Sequence, residues 1–91
     1  MTIDRHVAAP TEADVAFSDT IRTTLGALLY SGEWPRVSLL DGIHLTERMD
    51  AATARGNVHD RIEAGRDLLA LALREVPDAA LAIIPRFEEA A

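Results

Sequence analysis

There is no cysteine in this chain, which removes any disulfide framework, any thiolate nucleophile and any Cys-based zinc or iron–sulfur site. Lysine is missing too: all nine basic side chains are arginines, set against fifteen acidic residues for a formal net charge of -6. Arginine without lysine in an alanine-rich chain is what a GC-rich coding sequence tends to produce, and it points to a bacterial or phage source. The arginines are spread singly along the chain. A net-negative protein that does not concentrate its basic residues is repelled by phosphate backbones, so direct nucleic-acid binding is disfavoured.

Long apolar runs are equally scarce. Leu68 to Leu73 has only the length of a core-helix segment, far short of the roughly 20 residues that span a bilayer. Met1 to Pro10 sets Asp4, Arg5 and His6 among short apolar residues and so lacks the continuous hydrophobic segment of a secretory signal. A cytoplasmic protein with no membrane partner is the expectation. No Gly-rich phosphate loop is present, and Ser18, Ser31 and Ser38 carry no motif that marks a nucleophile elbow. No cofactor is implied, and no enzyme activity is expected.

What is present is enough to fold. Of the 91 residues 48% are apolar and 26% charged, a globular balance remote from that of disordered chains. One helical domain over residues 1–91 is expected, with 1–10 a flexible arm and 86–91 a frayed tail. A domain near this size buries only roughly 60% of the surface its unfolded chain exposes, so self-association is a natural remedy.

A start signal recurs along the chain: a capping residue followed three positions later by aspartate, as Thr11 with Asp14, Ser38 with Asp41 and Asn57 with Asp60. The first side chain accepts an orphaned backbone N–H, while the acid favours the positive end of the helix dipole. Gly32 and Gly56 stand where left-handed C′ glycines would end a helix, and Val76-Pro77 ends a third segment. These signals predict an all-α bundle of three main helices, about 12–31, 39–55 and 58–75. Asp78 would cap a short C-terminal element through Ile84. Only Gly56 and Asn57 separate helices 2 and 3, which predicts an antiparallel hairpin.

In the first helix Phe17, Ile21, Leu25, Leu28 and Leu29 recur at three- and four-residue steps and form the predicted core stripe, with Asp19, Arg22 and Thr23 opposite. Residues 33–37 read as a connection, with Trp34 lidding the core. In the second helix Leu39, Leu40, Ile43 and Leu45 cluster early, which suggests a more exposed far half around Met49 and Ala52. In the third, Val58, Ile62, Leu69 and Ala72 form a first stripe, but Leu68 to Leu73 is apolar on every side, so this helix is either central or shared with a second subunit. Gly26, Gly42 and Gly65 fall inside helices, where glycine costs about 0.5–1 kcal/mol relative to alanine. The plain reading is drift or a local kink; the sharper one is close helix crossing.

Two pairs share helix faces one turn apart: His44 with Glu47 and His59 with Glu63. Converging, they would suit a metal. However, His44 lies twelve residues before the Gly56-Asn57 turn and His59 two after it. At about 1.5 Å per residue the two are offset on the order of 15 Å, so only a contact across an oligomer would join them. Asp60 is explained by capping and Glu63 by pairing with Arg66. Arg48, Arg55, Arg61 and Arg66 could mark an anion site, but the acids interleaved with them favour a solvated, salt-bridged surface.

By elimination, the sequence points to a protein–protein interaction module: a helical homodimer or a small regulatory subunit of a larger protein. Apolar residues in excess of what a short hairpin covers, Leu68, Leu71, Leu73, Leu81, Ile84 and Phe87, are the expected interface. The alternative is an acidic inhibitor, such as an antitoxin, immunity protein or phage-encoded inhibitor. It would occupy a basic site on a nucleic-acid-acting protein and would need one continuous acidic face.

Overall fold

The structure, a computed structural model, describes residues 9–84. Four helices follow one another: α1 (Glu12–Leu29), α2 (Arg36–Ala54), α3 (Val58–Glu75) and α4 (Pro77–Ile83). No strand occurs among the described residues. The first eight residues of the expected arm, and the expected tail, lie outside them.

Local chemistry sets the boundaries of α1 and α3. Thr11 Oγ1 accepts the Asp14 N–H at 3.0 Å and the Asp14 carboxylate accepts the Thr11 N–H at 3.1 Å, a reciprocal capping box. Asn57 Oδ1 accepts the Asp60 N–H at 3.0 Å and starts α3. Gly32 and Gly56 take φ of +90° and +73°, the left-handed conformation that lets the chain leave a helix without a Cβ penalty.

Two expected starts are corrected. α2 begins at Arg36, directly after Pro35, and Ser38 lies inside it. Ser38 is buried and accepts the Trp34 indole N–H at 3.0 Å, so its hydroxyl seats the tryptophan instead of capping a helix. Likewise α4 begins at Pro77, whose fixed φ and missing N–H suit a first helical position, and Asp78 sits in its first turn.

The main helices run up, down and up. α1 and α2 are antiparallel, joined by Arg22 to Asp50 and by Leu29 lying over Gly42. α2 and α3 form the antiparallel hairpin, while α1 and α3 run alongside each other, with Asp19 near Arg61 and Ile21 near Gly65. α4 turns back over α1 and α3. α3 touches each of the other helices, so it is the central helix of one chain. Ile21, Leu25, Leu29, Trp34, Met49, Ala64, Leu68, Leu71, Ala72 and Ala80 make the core. Phe17 and Leu28 pack against it from the rim.

Two face assignments hold only in part. On α2 Leu39, Ile43 and Leu45 pack against the core, but Leu40 is 62% exposed and the far half joins the interior through the fully buried Met49 and Ala52. On α3 Ala72 is buried as expected, together with Ala64, Gly65, Leu68 and Leu71, whereas Ile62 and Leu69 are half-buried and Val58 is exposed. Two of the three helical glycines are packing positions. A Cβ on Gly42 would lie 2.5 Å from Leu29 Cδ2, and one on Gly65 would lie 3.2 Å from Met49 Cε, so close helix crossing explains these two, whereas a Cβ on Gly26 would meet chiefly Arg22 of its own helix.

Candidate interaction surface

The apolar residues expected at an interface separate into two groups. Leu68 and Leu71 are buried in the chain's own core, which takes them out of any surface on this fold. Leu73 and Leu81 are exposed, Ile84 is half-buried, and Phe87 lies outside the described residues. Four large exposed apolar side chains are not among the expected interface residues: Tyr30, Val37 at 88%, Leu40 and Val58. Val37 and Leu40 stand one turn apart on the outside of α2, a pattern readable only once that helix is known to begin at Arg36, because the segment 33–37 otherwise counts as a connection.

Around the bundle four arginines, Arg22, Arg48, Arg55 and Arg61, are committed to carboxylates. Arg22 grips Asp50 with two hydrogen bonds of 2.8 and 2.9 Å between α1 and α2. Arg48 reaches from α2 to Asp60 at 2.6 Å and to Glu63 and Asp67 at 3.3 Å on α3. Arg55 also binds Asp60, at 3.1 Å, and Arg61 joins Asp19 of α1 at 2.8 Å and donates to Thr53 of α2. The hydrogen bond from Arg48 holds the Asp60 carboxyl below its ordinary pKa, helped by Arg55, and Arg22 does the same for Asp50. The Arg48 and Arg22 guanidiniums are held above their ordinary values by the same hydrogen bonds.

Of the arginines considered for an anion site, Arg48, Arg55 and Arg61 are thus occupied by acids, and no ion pair involves Arg66 among the described residues. Glu63 pairs with Arg48 rather than with the expected Arg66. His44 and His59 are exposed, and among the described residues no three His, Asp or Glu side chains gather in metal-binding geometry.

The hydroxyls have ordinary partners. Ser18 donates to the Val15 carbonyl, Ser31 to that of Leu28, and the buried Thr46 to that of Ile43, each at 2.7 Å. None is hydrogen-bonded to a histidine or a carboxylate side chain that would act as its base. Two shallow, open depressions lie along Pro10–Asp19 on α1 and between Leu28, Glu33 and the start of α4. No helix among the described residues is long and apolar enough to cross a membrane.

Compared with protein-family models, curated proteins and solved structures, the chain matches none. The fold and its surface therefore define a small all-α bundle, and the functional reading rests on the exposed side chains alone.

Proposed function

We propose that this chain is a non-catalytic protein–protein interaction module, acting as a homodimer or as a small regulatory subunit of a larger protein. One observation carries the reading: with the core closed, Tyr30, Val37, Leu40 and Leu81 still expose 60% to 88% of their surface. Large apolar groups left in water cost free energy that association recovers, and Val37 and Leu40, one turn apart on the outside of α2, stand together. The locally satisfied hydroxyls and shallow depressions support a role without chemistry.

The acidic-inhibitor alternative draws less support. Blocking a basic site takes one face of free acids, whereas Asp19, Asp50, Asp60, Glu63 and Asp67 already hold arginines and the acids with no ion pair among the described residues, such as Glu12, Asp41, Glu75 and Asp78, are spread over all four helices.

A variant combining Val37→Ser, Leu40→Ser and Leu81→Ser tests the proposal against the parent chain. Sedimentation and cross-linked affinity capture should show an assembly formed by the parent and lost by the variant. A parent that sediments as a compact monomer at every concentration, and that captures the same proteins as the variant, ends the proposal.

A further inference from the structure

We infer that the partner of the outer face of α2 is a second copy of this chain, docked as an antiparallel α2–α2 pair about a two-fold axis that passes between Asp41 and Gly42. This deepens the interaction reading above and rests on it.

Four residues carry the inference: Arg36, Leu40, Ile43 and Glu47. At roughly 100° per residue they fall within about 60° of arc, on the side of α2 away from its buried row of Ser38, Gly42, Thr46 and Met49. Leu40 is 62% exposed, Ile43 is half-buried with one side packed against the core and the other at the surface, and Arg36 and Glu47 are exposed with no ion pair among the described residues. The spacing of the four reads the same in both directions: four residues, then three, then four.

A two-fold axis at the midpoint therefore sets Leu40 of one copy against Ile43 of the other, and Arg36 against Glu47, at both ends. An interface of this kind must be self-complementary, and this stripe is, in apolar contact and in charge. Turning the second helix parallel would stack Arg36 on Arg36 and Glu47 on Glu47, so the charges select the antiparallel arrangement. Val37, one turn from Leu40 and 88% exposed, extends the apolar strip along one margin. About three turns of one helix bury less than the roughly 800 Å2 per partner of a standard interface, so the dimer is weak and reversible.

The test is sedimentation equilibrium of the full chain and of charge-exchanged variants across the micromolar to millimolar range, with circular dichroism verifying that each is folded. Arg36, Leu40 and Glu47 are all exposed in the single copy, so their substitution leaves the core intact. Arg36→Glu and Glu47→Arg should each weaken the dimer about tenfold or more, the double exchange should restore it, and Leu40→Ser should abolish it. A chain that stays monomeric at about 1 mM, a dimer indifferent to Leu40→Ser, or a double exchange that fails to recover association overturns the inference. Capture of a different protein through Leu40 by a chain that does not self-associate would sink the two-fold dimer alone. Failure of both self-association and capture would sink the interaction reading with it.

Discussion

At single positions the fold depends on side chains that are absent as much as on those present. Leu29, 3% exposed, rests on Gly42, and a methyl group there would force this branched, buried side chain to turn against its core neighbours. Gly65 faces the end of Met49, whose unbranched chain can turn aside by a few tenths of an ångström. Opposite outcomes follow for one kind of substitution. Gly42→Ala should destabilise the chain by about 1–2 kcal/mol, because overpacking outweighs the helix-propensity gain of about 1 kcal/mol. Gly65→Ala should be near neutral, within about 1 kcal/mol. Urea denaturation of the two variants checks the contrast, and equal effects would show that Met49 makes room no more readily than Leu29 does.

Among the elements, α3 has the widest reach, since every other helix leans on it. Its start depends on one side chain, the Asn57 amide that accepts the Asp60 N–H. Asn57→Ala should cost about 1 kcal/mol, lowering Tm by about 4–8 °C for a domain of this size. Calorimetry measures that, and an unchanged Tm would mean the tertiary contacts hold the first turn without its cap. The same locality explains what could be read in advance. Thr11, Asn57, Gly32 and Gly56 act within a few residues of themselves, so the starts of α1 and α3 and the exits from α1 and α2 are legible in sequence. The start of α2 is not, because Ser38 is committed to Trp34, a partner that only the folded corner supplies. Nor is the buried face of α3: Leu68 to Leu73 offers apolar groups in every direction, and the choice falls to the helices that pack around it. The proposed interface shares this difficulty, since Val37 and Leu40 look like parts of two segments until α2 is extended to Arg36.

For the molecule as a whole, a belt of arginine–carboxylate pairs ties the three long helices together, and it should respond to acid. Asp50 and Asp60 have folded pKa values below their unfolded ones, so their pairs stabilise the fold fully above the unfolded carboxylate value of about 3.9 and lose that contribution as pH falls through the folded value. The urea midpoint should hold steady from about pH 7 to 5 and fall below about pH 4. Asp50→Asn should show a shallower fall than the parent chain. Identical acid profiles would show that the pair contributes nothing to stability, as many exposed ion pairs do not.

Trp34, the chain's one tryptophan, sits 3% exposed at the corner between α1 and α2, its N–H held by Ser38. The protein thus contains a single indole fluorophore in a dry setting, at the joint where its first two helices meet. Its emission colour reports whether that joint is closed or flooded with water, and it does so without a dye or an added label.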